Sequence, residues 1–245
     1  MPQGARKIRL DLLLTEKGLV ESREKAQALV LAGEVLVNGQ KAVKAGQSVP
    51  IDAALEVLAS PRYVSRGGLK LEAAIDHFRI SVAGRVCLDI GGSTGGFTDC
   101  LLQRGAARVH VVDVGAGQLD WKLRSEARVI LHERLNARYL RPKDIGEPIE
   151  LAVCDVSFIS VTLILPALSP LLQPDAEMVI LVKPQFEVGR EQVGKGGIVR
   201  DPALHAAACE RVDRAVREMS YKTEIVESPI QGAEGNREFL LYARH

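Results

Sequence analysis

The chain has 245 residues, 47% of them hydrophobic, and a formal net charge of only +1. That suits one medium domain with a smaller one attached, and any nucleic-acid contact must rest on local basic patches, not on bulk charge. Apolar runs such as Val179 to Val182 fall far short of the ~20 residues of a membrane helix, and Arg6, Lys7, Arg9 and Asp11 break up any signal-peptide core, so a cytoplasmic protein with no membrane partner is expected.

Leu10, Leu13 and Leu14 make one apolar helical face that ends near Gly18. Ser22 is the expected N-cap of a helix from Arg23 to Ala32, with Gly33 as its stop. Val35 to Val37 then run into Asn38-Gly39, a strong hairpin signal, and Val49 and Leu55 to Leu58 suggest further strands. Ala59-Ser60-Pro61 marks a boundary, since proline resists continuation of a strand. A small α/β domain over 1–59 and a linker over 60–65 are therefore expected before the main domain, 66–245. There, Leu69 to Phe78 has helical spacing. Apolar strands follow at Val86–Ile90, Val109–Val114, Val129–Leu131, Leu151–Asp155 and Met178–Lys183, then a helix from Pro202 to Met219 and strands near Thr223–Val226 and Phe239–Tyr242. Continuous apolar runs are what parallel strands covered on both faces require, which makes this a Rossmann-like, doubly wound α/β sheet. Cys87, Cys100, Cys154 and Cys209 are scattered without a C-x-x-C pair, so free thiols and no metal are expected.

The densest chemical signal leaves the first of these strands: Asp89, then Gly91, Gly92, Ser93, Thr94, Gly95, Gly96 and Phe97. Glycines at such a strand-to-helix turn let the backbone approach a ligand closely. A phosphate-cradling P-loop is excluded because no Lys-Ser or Lys-Thr follows the last glycine, and a dinucleotide fingerprint because Ser93 replaces its second glycine. Gly91 to Gly95 match the G-x-S-x-G nucleophile elbow, but only His205 and His245 come late in the chain, and neither follows a strand end. Asp113 ends the second strand, where a carboxylate can accept both ribose hydroxyls of an adenosine cofactor, and that favours S-adenosylmethionine. Asn136, past the third strand, is a candidate for the adenine edge or a plain turn former.

Together with this loop, five segments resemble the TlyA family: Tyr63-Val64-Ser65-Arg66-Gly67-Gly68 with Lys70-Leu71, Val112-Asp113-Val114-Gly115 with Gly117-Gln118-Leu119, Cys154-Asp155-Val156-Ser157-Phe158-Ile159-Ser160, Val182-Lys183-Pro184-Gln185-Phe186-Glu187 and Gly235-Asn236 with Glu238-Phe239. The resemblance spans nearly the whole chain. It implies an S-four-like RNA-binding domain followed by an FtsJ-like methyltransferase domain, methylating cytidine ribose 2′-hydroxyls of ribosomal RNA or ribosomal subunits. It implies a Lys-Asp-Lys-Glu tetrad on Lys70, Asp155, Lys183 and Glu238. Gly92 stands where the family often has alanine or serine, a change expected only to loosen the loop, and the short termini are similar to the subclass directed to the large subunit.

The residues' own positions agree with such a tetrad. Asp155 and Lys183 close two strands at the edge where open α/β sheets bind ligands. Glu238 begins a strand that starts at this edge if it runs antiparallel. A ribose hydroxyl needs its proton removed or polarised as it attacks, and Lys183 is the expected base, with Lys70 protonated and the carboxylates orienting both amines. The sequence leaves an exchange of roles between Lys70 and Lys183 open.

Arg9, Arg23, Lys25, Gln27 and Lys41 fall where S-four-like domains contact RNA, and Arg62 and Arg66 lie at the junction near Lys70. Interleaved acids make solvated helix charges the competing reading for the first group. The glycine-rich stretch from Gly189 to Arg200 reads as a mobile substrate lid. A non-catalytic RNA-binding assembly factor and a membrane-lytic protein, the family's older label, are the competing functions.

Overall fold

The computed structural model describes residues 6–31, 33–58, 62–232 and 235–245. The chain divides into two compact units, Met1–Pro61 and Arg62–His245. In the first, strand β1 (Lys7–Arg9) leads directly into helix α1 (Leu10–Glu16) and then α2 (Arg23–Leu31). Ser22 Oγ accepts from Lys25 N at 3.2 Å, the expected cap; the expected end at Ala32 lies outside the described residues. Strands β2 (Val35–Val37) and β3 (Gln40–Lys41) form the hairpin, whose Asn38 and Gly39 take φ of 51° and 78°, as a tight primed turn demands. Strand β4 (Ser48–Pro50) pairs with β1, and β5 (Leu55–Val57) with β2, both antiparallel. Leu10, Leu13, Leu14, Ala26, Val30, Val35 and Val49 are the buried core.

The second unit starts earlier than the sequence suggested. Residues 59–61 lie outside the described residues, but Tyr63 is buried in this unit's core and Val64 N donates to Asp99 Oδ2 at 2.9 Å. The expected linker over 60–65 is thus part of the unit from Arg62 onward. It continues through α3 (Gly67–Phe78), β6 (Val86–Ile90), α4 (Gly96–Gln103), β7 (Arg108–Asp113), the single-turn α5 (Trp121–Arg124), β8 (Val129–Glu133) and α6 (Pro142–Ile145). Strand β9 (Ile149–Cys154), α7 (Leu165–Leu168), β10 (Leu172–Val182), α8 (Pro184–Glu187), α9 (Pro202–Arg217), β11 (Lys222–Glu227) and β12 (Phe239–Arg244) complete it.

These strands form one seven-stranded sheet in the order β11–β12–β10–β9–β6–β7–β8. All pairs are parallel except those of β12, antiparallel to both β10 and β11. Alternation explains the continuous apolar runs. Cys87, Val109, Val111, Leu151, Val153, Val179 and Leu181 pack under α3 and α4; their neighbours Leu88, Val112, Ala152, Cys154, Met178 and Ile180 pack with α7 and α9 on the other face. The central strands β6, β7, β9 and β10 are covered on both faces, so their carboxyl ends are the place left open to a ligand.

Candidate active site

The turn after β6 is built around two close approaches. Gly91 has φ +86°, and a Cβ there would stand 2.3 Å from the Asp155 carbonyl oxygen, so only glycine lets β6 and β9 end side by side. A Cβ on Gly92 would meet Val111 Cγ1 at 2.2 Å. This corrects the expectation that glycine at 92 merely loosens the loop: here it makes room for the valine of β7. Ser93 holds φ 47° while its N–H donates to Asp113 Oδ2 at 2.8 Å.

Asp89 lies beneath the loop and lines neither of the two cavities that open beside it. It is fully buried; Oδ2 accepts from Thr98 Oγ1 at 2.6 Å, and Oδ1 has no partner. Burial, reinforced by the Asp155 and Asp113 charges, pushes its pKa up to about 7, against the Thr98 hydrogen bond. The unfolded chain loses this proton near pH 3.9, so the folded state keeps it longer and stability falls between about pH 4 and about pH 7, then levels. Asp89→Asn removes that slope. In thermal unfolding across pH 5 to 8, the variant should gain on the wild type as pH rises to about 7 and no further; parallel curves would show that Asp89 does not titrate there.

Two cavities open at the carboxyl edge and share Gly91, Ser93, Asp155 and Ser157. The first, of about 430 Å³, has apolar walls from Ile90, Val112, Leu135 and Ile164, with Asp113 and Asn136 among its polar groups. Asp113 Oδ1 also accepts from Gly115 N at 2.7 Å, and Asn136 Oδ1 caps a short turn through Arg138 N at 3.0 Å. Both side chains therefore shape their loops and face the cavity, and each carboxylate oxygen keeps a second lone pair for a ligand. Of the remaining glycine-loop residues, Gly92, Thr94, Gly96 and Phe97 line the second cavity, of about 380 Å³, while Gly95 packs on Leu119 and Leu123 and lines neither.

The second cavity brings the four expected tetrad residues together as two ion pairs. Lys183 Nζ stands 2.5 Å from Asp155 Oδ1 and donates to Ser157 Oγ at 2.9 Å. The Asp155 contact is ionic and not a directed hydrogen bond, as no donor is aligned on this oxygen. Lys70, in the first turn of α3, donates to Glu238 Oε2 at 2.5 Å. Because β12 is antiparallel to β10, with Phe239 opposite Val182, Glu238 comes to the edge where Lys183 sits. Lys70, Asp155 and Lys183 are in the cavity wall; Glu238 lies behind Lys70 under Gly232. The pairs differ in depth, with side-chain exposures of 10% and 2% for Lys70 and Glu238 against 11% and 22% for Lys183 and Asp155.

Other expectations fare differently. Arg66 lines the second cavity. Arg62 is paired with Glu72 and lies 5.4 Å from the Tyr63 ring centroid. Lys25 and Lys41 are exposed. Arg9, Arg23 and Gln27 all donate to the fully buried Asp11, at 2.8, 3.1 and 3.1 Å, so they hold the first unit together, with about half of each arginine side chain in solvent. The stretch 189–200 lines neither cavity: Gly194 bridges Ile198, and Asn236 donates to Gly197 O at 2.9 Å and accepts from Val199 N at 3.1 Å. It is a pinned loop, which removes the evidence for a lid. No histidine lines either cavity; His205 is buried against Val199 O at 2.8 Å, so the hydrolase constellation is not assembled. Among the described residues no group of three His, Cys, Asp or Glu side chains is placed to hold a metal ion, and no helix is long and apolar enough to cross a membrane. Sequence reasoning missed Ser157 and Gly232 as site residues; Ser157 lay within a recognised segment, next but one to Asp155.

A glycine-lined turn, a carboxylate at the end of the next strand and two lysine–carboxylate pairs at one sheet edge are the features of a Rossmann-like methyltransferase. Residues 63–245 match the FtsJ-like methyltransferase family, to which this chain belongs, and residues 8–53 match the S4 domain. It is 48% identical to the 16S/23S rRNA (cytidine-2′-O)-methyltransferase TlyA of Mycobacterium tuberculosis, over 98% of this chain and 91% of that protein. It is 43% identical to hemolysin A of Brachyspira hyodysenteriae, over 96% and 99% of the two chains. A solved hemolysin candidate from Streptococcus thermophilus superposes with a TM-score of 0.74 at 45% identity, covering 98% of this chain and 89% of that one.

Proposed function

We propose that the chain methylates cytidine ribose 2′-hydroxyls in ribosomal RNA, with S-adenosylmethionine bound across the two cavities. The observation that carries this reading is the shared wall: Gly91, Ser93, Asp155 and Ser157 face both the apolar, carboxylate-bearing cavity and the one holding the two lysine pairs. The first cavity fits an adenosine, with Asp113 for the ribose hydroxyls, Asn136 for the base edge and apolar walls for its faces. S-adenosylmethionine supplies a methyl group on a sulfonium, which leaves as a neutral thioether. Lys183 Nζ takes the ribose hydroxyl proton. Lys70 is engaged by the deeply buried Glu238 and serves as a fixed member of its ion pair, whereas Lys183 is paired with the more exposed Asp155. Arg66 in the cavity wall, with Lys25 and Lys41 exposed on the first unit, supplies phosphate contacts that position the RNA.

Asp113→Ala should weaken S-adenosylmethionine binding by roughly 1.5–3 kcal/mol, the usual worth of a hydrogen bond to a charged group. Unchanged affinity in calorimetry would remove Asp113 from the site. The reaction itself is tested by incubating ribosomal subunits with the protein and methyl-labelled S-adenosylmethionine, then digesting the RNA to nucleosides. Label in 2′-O-methylcytidine is expected. Label on a base contradicts the assignment, and RNA binding without transfer favours an assembly factor.

A further inference from the structure

Lys183 has a partner outside the tetrad. Its amine stands 2.9 Å from Ser157 Oγ as well as 2.5 Å from Asp155 Oδ1, and Ser157 faces both cavities. The segment carrying Ser157 has no regular structure, yet it is tied to the lysine's own strand end. Glu187, buried in α8 four residues beyond Lys183, accepts from Ser160 Oγ at 2.5 Å and from Val161 N at 2.8 Å. Phe158, next to Ser157, is held at φ 66°, a conformation that costs a bulky residue free energy and persists only where its surroundings impose it. The hydroxyl is thus fixed relative to Nζ.

We propose that Ser157 is a positioning residue that aims the lone pair of Lys183 at the ribose hydroxyl, a proposal that rests on reading Lys183 as the base. An amine nitrogen has four tetrahedral directions. Cε takes one and Ser157 Oγ, as an acceptor, a second, while Asp155 Oδ1 holds the amine by charge without an aligned N–H. When Lys183 is neutral, one N–H serves Ser157 Oγ, the Asp155 charge draws the other N–H to its own side, and the lone pair is left the remaining direction, into the cavity that Lys183 lines. The ribose O–H bond then breaks toward Nζ as the oxygen–methyl bond forms and the carbon–sulfur bond breaks, with sulfur keeping that electron pair. Asp155 alone would leave the amine free to rotate and the lone pair correctly aimed for only part of the time.

Ser157→Ala and Ser157→Thr separate this role from a packing role. With saturating S-adenosylmethionine, the alanine variant should lose about tenfold in single-turnover rate, with KM for ribosomal RNA and calorimetric cofactor affinity unchanged. Threonine, which keeps the hydroxyl, should stay within about twofold of the wild type. Independently of turnover, NMR of the 15N-labelled lysine side chains should show an exchange-protected Lys183 ammonium, assigned by its absence in Lys183→Arg, that disappears in Ser157→Ala and persists in Ser157→Thr. An alanine variant at wild-type rate overturns the proposal. So does a threonine variant as slow as alanine, or an alanine variant slowed only through lost cofactor affinity. A wild-type protein that transfers no methyl group to RNA fails the functional reading itself, a result distinct from an active enzyme indifferent to Ser157.

Discussion

Lys183→Ala should lower single-turnover methyl transfer by about 10²- to 10⁴-fold, the range typical of a lost general base, while folding and S-adenosylmethionine affinity change little. The lysine is at the sheet edge, not in the core, and the Asp155 left behind keeps contact with water, so no unpaired charge is stranded in the interior. Lys183→Arg should not restore the rate: guanidinium keeps its proton at any accessible pH and can replace only the charge. Near-wild-type turnover by Lys183→Arg would make the residue an electrostatic clamp, with the proton leaving through water or through Lys70.

Glu238→Ala should be the most destabilising change in the site, costing about 3–5 kcal/mol in denaturant unfolding, because it leaves the Lys70 ammonium buried and alone. Only 10% of the Lys70 side chain and 2% of Glu238 reach solvent, so water cannot replace the lost carboxylate. Activity should vanish with stability, and a second variant separates the two effects. Lys70→Met with Glu238→Met removes both charges and should recover most of the lost stability, since a buried pair contributes little over apolar residues of its size. It should remain inactive. A cost below about 1 kcal/mol for Glu238→Ala would mean that the pair opens to water and that Lys70 is not held as a charged group.

The central strands from Val86 onward were legible because each carries apolar residues on both faces, a pattern that survives in sequence whatever the packing. The tetrad was legible in part for the same reason: strand ends fix the sheet edge, and Glu238 joins that edge once β12 is antiparallel. Strand β1 was not legible, since Lys7–Arg9 is three residues with two charges around one isoleucine, and its pairing with β4 is decided 41 residues later at Val49. The opening of β10 was missed because Gln173, Pro174 and Asp175 are polar or strand-breaking, and the register shifts there. The pairing of Arg9 and Arg23 with Asp11 was not legible, because Asp11 looks like any acid in a first helical turn; only the fold buries it within reach of both arginines. The contact between Gly92 and Val111, and that between Lys183 and Ser157, join residues on different elements at distances no local pattern records.

The most direct test of the function is a map of 2′-O-methyl groups across the ribosomal RNA of cells that carry this protein, cells that lack it, and cells that carry Lys183→Arg in its place. The expected result is one or more cytidines methylated on the ribose in the first strain and unmethylated in both others. Identical maps in all three strains would contradict the assignment of this chain as the methylating enzyme, and a site methylated equally by wild type and Lys183→Arg would contradict Lys183 as its base.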